Sequence, residues 1–173
     1  MRWNDHPEPP VTRGEGLRAL LLDDDEYALE FLRALLTDRY PGLEVETRLE
    51  PTSEGEHDLY FLDDDFEGVR LAGELARRIR KERPGAIILA MSASLDALTL
   101  KELLAAGCNG VCDKKVSSDL PEMLRTLDRC LDELEAQRSA RPEGMLHTFR
   151  ELFQEWNRRL EDQGQDRGSG TPS

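Results

Sequence analysis

Two short apolar runs, each ending in three consecutive aspartates, constrain this chain more than any other feature. One is HDLYFLDDDFEG, His57 to Gly68, in which Leu59, Tyr60, Phe61 and Leu62 lead directly into Asp63, Asp64 and Asp65. The other is ALLLDDDEY, Ala19 to Tyr27, which runs into Asp23, Asp24 and Asp25. A segment apolar at every position suits a strand covered on both faces, the environment of a parallel sheet flanked by helices. Ligands of such sheets bind beyond the carboxyl ends of the strands, so two acidic strand ends mark one candidate site.

The rest of the chain supplies the flanking elements. Residues 1–16 carry three prolines and two glycines among charges, too little apolar surface to order itself, and read as a disordered lead. Leu17 to Leu22 reads as a strand. After its acids, Tyr27, Leu29, Phe31, Leu32, Leu35 and Leu36 recur at helical spacing until Tyr40, Pro41 and Gly42 stop the run. Leu43 to Leu49, LEVETRL, alternates as a half-buried edge strand does. Only Glu50 to His57 separate it from the central strand, with Pro51, Ser53 and Gly55 among them, so the spacing predicts a loop there and no helix.

Beyond the central strand, Val69, Leu71, Ala72, Leu75, Ala76 and Ile79 mark a helix that ends at Arg83, Pro84 and Gly85. Ala86 to Met91 is a buried strand followed by Ser92. Leu98 to Ala106 is a short helix closed by Gly107, and Gly110 to Asp113 a last strand before Lys114 and Lys115. Strands and helices alternating in this way imply a parallel sheet with right-handed crossovers. From Leu120 the leucines at 124, 127, 131 and 134 step by four and three, the seam of a helix that packs on another. After a break at Arg141 to Gly144, Leu146, Phe149, Phe153, Trp156 and Leu160 predict a second amphipathic helix. Residues 163–173, rich in Gly, Ser and Gln, read as a disordered tail.

Charge and cysteine content exclude several classes. Thirty-six acidic against 23 basic residues give a net charge of -13, which repels phosphate backbones and anionic membranes. No apolar run approaches the roughly 18 residues that span a bilayer, and the N-terminus lacks a signal-peptide core, so a cytoplasmic protein is expected. Cys108, Cys112 and Cys130 form no CxxC doublet and read as buried or half-buried thiols in a reducing compartment. His6, His57 and His147 fall in a lead, a loop and a helix start, away from any catalytic position.

Taken at their strand ends, Asp23 and Asp24, then Asp63, then Ser92, then Lys114 converge. Clustered carboxylates resist ionising together, and an oxygen-only donor set with no His or Cys favours Mg2+ over zinc. Lys114 supplies a positive charge and Ser92 a hydroxyl for a phosphoryl oxygen. Asp25, Asp64 and Asp65 read as solvated side chains.

In these four segments, ALLLDDD, HDLYFLD, IILAMSAS and AAGCNGVCDKK, in that order, the chain resembles the receiver domain of two-component response regulators. The resemblance covers residues 17–134, with a C-terminal helical extension at 135–162. It implies a flavodoxin-like α/β fold with a five-stranded parallel sheet, here lacking the second helix. It further implies that Asp63 takes a phosphoryl group from a histidine kinase or phosphotransfer protein. Asp23 and Asp24 would bind Mg2+ together with Asp63 and the main-chain carbonyl near Asp65. Lys114 would pair with Asp63, and Ser92 would contact the phosphoryl oxygen and couple the site to a switch surface. Such a protein is a signalling domain and not an enzyme. Its output would be a downstream protein or a self-dimer formed through the C-terminal helices, with no DNA-binding element.

The chain departs from that pattern at Val111, where an aromatic switch residue is usual, at Lys115, where a proline is usual, in the shortened DDFEG loop, and in the missing helix. These departures motivate an alternative, a pseudo-receiver that binds partners without phosphorylation. A third reading, a phosphohydrolase resembling the haloacid dehalogenase superfamily with Asp23 as nucleophile, leaves the central acidic strand unexplained.

Overall fold

The structure is a computed structural model and describes residues 13–140. Its strands are β1 (Arg18–Leu22), β2 (Glu44–Arg48), β3 (Leu59–Asp63), β4 (Asp65–Phe66), β5 (Val69–Arg70), β6 (Ile87–Ser92) and β7 (Gly110–Asp113). Its helices are α1 (Glu26–Arg39), α2 (Ala72–Glu82), α3 (Ala97–Ala105) and α4 (Asp119–Ala140). The chain divides into two compact units, residues 1–131 and 132–173. The first holds the sheet. Of the second, the described residues, 132–140, are the last turns of α4.

Five strands form one parallel sheet in the order β2-β1-β3-β6-β7, and β4 and β5 form a separate hairpin. The order follows from the sequence. The strands apolar at every position, β3 and β6, occupy the middle and are buried throughout, whereas the alternating β2 is half-buried at the edge. Register aligns Leu20 with Tyr60 and Tyr60 with Ile88, and Leu22 with Leu62 and Leu62 with Ala90. Because side chains alternate, these residues line one face and pack on Ala72, Leu75, Ala76 and Ile79 of α2 and Leu103 of α3. The other face carries Ala19, Leu21, Leu59, Phe61 and Leu89. Leu29, Leu32 and Leu36 of α1 and Met123, Leu124, Leu127 and Leu131 of α4 are buried with it. Each such leucine contributes about 2 kcal/mol on leaving water.

The loop between β2 and β3 contains no helix. The face left bare is closed by polar side chains. Glu46 and Arg48 sit in register with Leu20 and Leu22, and Glu46 accepts from Arg48 at 2.7 Å and contacts His57 Nε2 at 2.8 Å. Arg48 also donates to Glu54 O at 2.8 Å, so the loop folds back against its own strand. His57, expected in an open loop, is buried edge-on to Tyr60, and its Nδ1 has no partner.

The helix expected from Val69 begins instead at Ala72, because Glu67 and Gly68 both adopt positive φ (53° and 84°) and turn the chain into the β4–β5 hairpin. Residues 13 to 16, the end of the expected lead, form a turn in which Leu17 N donates to Gly14 O at 3.0 Å. A Cβ on Gly42 would lie 2.9 Å from Glu15 N, so that turn and the α1–β2 corner fit only around glycine. Arg13 joins Arg39 and Tyr40 on the carboxylate of Asp128 in α4. The remainder of the lead, the second amphipathic helix, the tail, and His6 and His147 lie outside the described residues. Cys108 and Cys112 are buried and Cys130 half-buried. No helix among the described residues is long and apolar enough to cross a membrane.

Candidate functional site at the strand ends

Parallel strands deliver the acids to one edge of the sheet. Asp63 is the last residue of β3 and Asp23 follows the last residue of β1; both are buried, while Asp24 beside them is exposed. One carboxylate oxygen from each of Asp23, Asp24 and Asp63 lies within 4.8 Å of the others. Lys114 follows β7, placed by a bond from its N–H to Ser92 O at 2.8 Å. From there its Nζ reaches Asp23 Oδ2 at 2.7 Å and Asp63 Oδ1 at 2.6 Å. The Lys114–Lys115 peptide is trans, in keeping with lysine where a proline is usual.

Ser92 ends β6 one strand over, beyond the Asp63↔Met91 pair; it is buried and its Oγ accepts from Ser94 N at 3.2 Å. The strand-end residues therefore arrive together as Asp23, Asp24, Asp63 and Lys114, with Ser92 at the neighbouring strand end. Val111 is half-buried on β7 and packs against the α2 and α3 face of the core.

The electrostatics follow from crowding. Burial pushes the Asp63 carboxyl up to about 6, with Asp23 adding to the rise and the bond from Lys114 opposing it. For Lys114, burial alone would lower the pKa, but its bonds to Asp23 and Asp63 outweigh that and hold it above the ordinary lysine value. Three ionised carboxylates against the single Lys114 ammonium leave an excess of two negative charges at this edge.

Of the other acids expected to be solvated, Asp25 and Asp65 are exposed and Asp64 is not. Asp25 is exposed but caps α1, accepting from Tyr27 N at 2.9 Å and Ala28 N at 3.4 Å. Asp65 is exposed and accepts from Gly68 N at 2.6 Å. Asp64 is buried, paired with Arg70 Nε at 2.9 Å, because its main chain pairs with Met91 and Leu71 and turns the side chain inward. Sequence reasoning missed Arg70 and the hairpin; the signal was Glu67-Gly68 between Phe66 and Val69, a two-residue turn flanked by apolar residues.

Beside Lys114 opens a cleft of about 420 Å3 lined by Asp23, Phe31, Met91, Cys112 and Val116 among others. Its lining exposes Phe31 (61%) and Val116 (44%).

Solved structures share this architecture. A CheY-like response regulator receiver domain protein from Methanospirillum hungatei is similar over 70% of this chain and 98% of its own, at 23% identity and a TM-score of 0.59. A two-component response regulator from Clostridium difficile matches over 68% and 98%, at 16% identity and a TM-score of 0.58. The BeF3-activated DrrB receiver domain matches over 67% and 97%, at 21% identity and a TM-score of 0.56. The chain has the receiver fold. No family model matches the chain, and no curated protein matches it. Within the receiver fold, this chain replaces the helix between β2 and β3 by the Glu46, Arg48 and His57 network, and ties β5 to the turn after β3 through the Asp64–Arg70 pair.

Proposed function

We propose that this protein is a response-regulator receiver that accepts a phosphoryl group on Asp63 from a histidine kinase or phosphotransfer protein. It then signals through protein contacts, without a DNA-binding output. One observation carries the reading: the buried Asp63 carboxylate lies 2.6 Å from Lys114 Nζ, with Asp23 and Asp24 alongside.

An Asp63 oxygen attacks the phosphorus of a phosphohistidine. The P–O bond forms as the P–N bond breaks, and the departing imidazole retains the bonding pair and takes up a proton from solvent. The chain's own residues orient the nucleophile through Asp65 N and Lys114, and Lys114 remains to pair with the new phosphoryl charge. Three carboxylate oxygens and no His or Cys make a donor set suited to Mg2+. Asp23, Asp24 and Asp63 would hold it, with the carbonyl of Asp65 as a further ligand, and it would supply the missing positive charge. Ser92 would meet a phosphoryl oxygen and pass the change to the switch surface.

The exposed Phe31 and Val116 of the cleft beside Lys114 support docking of the phosphodonor's apolar face there. The receiver unit would span residues 17–134, and a helical extension at 135–162 would engage a downstream protein or a second copy. The net charge of -13 supports a protein that contacts neither nucleic acid nor an anionic membrane, and the cysteines, buried or half-buried and in no CxxC doublet, are in keeping with a cytoplasmic one.

The test is incubation of the full chain with a small phosphodonor and Mg2+. An acid-stable, hydroxylamine-labile adduct is expected, absent from Asp63→Asn. No adduct on the wild type sinks the reading. The half-buried Val111 at the usual aromatic position favours the second reading, a phosphorylation-independent pseudo-receiver. That reading fails if phosphorylation shifts partner affinity.

A further inference from the structure

Immediately after Asp63 the chain forms a hairpin whose tip touches the site. Asp65 pairs with Arg70 and Phe66 with Val69, around Glu67 at φ 53° and Gly68 at φ 84°. Two left-handed residues in the turn match the twist of the paired strands. Glycine adopts that conformation freely, whereas the Cβ of glutamate makes it strained. The geometry is over-determined by bonds on both sides. Asp65 Oδ1 accepts from Gly68 N at 2.6 Å across the turn. At the base, Asp64 accepts from Arg70 Nε at 2.9 Å, its carbonyl accepts from Leu71 N at 3.0 Å, and its N–H donates to Met91 O at 2.8 Å. At the tip, Glu67 N donates to Asp24 Oδ2 at 2.9 Å.

Asp24 is the exposed member of the three clustered carboxylates, and an exposed aspartate without a fixed partner samples several rotamers. The main-chain bond from Glu67 restrains it and leaves its other oxygen uncommitted. Outer hydrogen bonds of this kind orient metal-ligating carboxylates, and their loss typically lowers affinity by about 10–100-fold.

We propose that the β4–β5 hairpin is the positioning element of the metal site. The Glu67 N–H sets the Asp24 carboxylate for a divalent cation held with Asp23 and Asp63, and the Arg70–Asp64 pair holds the hairpin in place. This rests on the metal reading of the site given above. Glu67 and Arg70 are positioning residues; neither touches the phosphoryl group.

The experiment titrates Mg2+ into the full chain, reading the Glu67 amide resonance by NMR and affinity by calorimetry. The wild-type amide is expected to shift with Mg2+ occupancy. Glu67→Pro, which removes the N–H and cannot adopt positive φ, weakens binding about tenfold or more. Glu67→Gly, which keeps the N–H and suits the turn, binds within about twofold of wild type. Arg70→Gln, which unpairs Asp64, weakens binding several-fold. Wild type that binds no Mg2+ overturns the metal reading and this inference with it. Wild type that binds while Glu67→Pro binds equally well overturns the inference alone. Should Glu67→Pro fail to fold, a Glu67 amide unmoved at saturating Mg2+ overturns it.

Discussion

Lys114 Nζ lies 2.6 Å from Asp63 Oδ1 and is shared with Asp23 Oδ2 at 2.7 Å, so one ammonium bridges two buried carboxylates delivered by different strands. Removing it leaves both acids without a cation in a site where burial already opposes ionisation. Lys114→Gln is therefore expected to raise the Asp63 carboxyl above its value of about 6. Carboxyl 13C shifts followed through a pH titration measure this. An unchanged midpoint would mean that Lys114 exerts no control over Asp63.

The same burial makes folding depend on pH. Asp63 is raised to about 6 in the folded chain from an ordinary value near 4. The folded state therefore holds this proton more tightly. The contribution to stability is fully present below about pH 4 and is lost as pH rises through about 6. Asp63→Asn removes the charge that burial opposes. It is expected to stabilise the metal-free chain by about 1–2 kcal/mol at pH 7.5 and by little at pH 4. Thermal unfolding at the two pH values checks this, and equal effects at both would exclude the linkage.

The framework of the molecule was legible in the sequence because it rests on periodicity. Apolar runs at β3 and β6, alternation at β2, and the position of Pro and Gly gave strand type, order and the absent helix. The strand-end site was legible for the same reason: a parallel sheet must bring Asp23, Asp63 and Lys114 to one edge. What escaped were pairs with no period. Asp64 and Arg70 look like solvated charges until a two-residue turn folds one over the other, and His57 looks like a loop residue until Glu46 and Arg48 draw the loop onto the sheet. Both are local consequences of where the chain reverses, which propensity places only to within a few residues.

Away from the site, Asp128 of α4 accepts from Arg13 at 3.1 Å, Arg39 at 2.6 Å and Tyr40 Oη at 2.7 Å. Burial alone would raise its carboxyl, but the bonds from Arg39 and Tyr40 outweigh that and hold it below the ordinary aspartate range. The tyrosine is driven the other way, with burial and the bond to Asp128 pushing it up to about 12. A depressed acid contributes stability above its unfolded value that is lost as pH falls through the folded one. Asp128→Asn is expected to cost about 1 kcal/mol at pH 7 and progressively less as the pH falls below the ordinary aspartate range. Denaturant midpoints at pH 7 and in acid measure the difference; a cost that persists in acid would assign the loss to packing.

The closure of the bare sheet face yields the sharpest stability contrast. His57 is buried with one nitrogen on Glu46 at 2.8 Å and the other without a partner, and its ring meets Tyr60 at 5.8 Å. If volume under the loop matters most, His57→Phe, which fills the site and removes the unpartnered nitrogen, costs less than His57→Ala. The alanine variant is expected to lose about 2–4 kcal/mol, with faster amide exchange through residues 49–58, because a cavity opens where a helix would otherwise lie. The opposite order, phenylalanine worse than alanine, would show that the Glu46 bond and not packing seals this face.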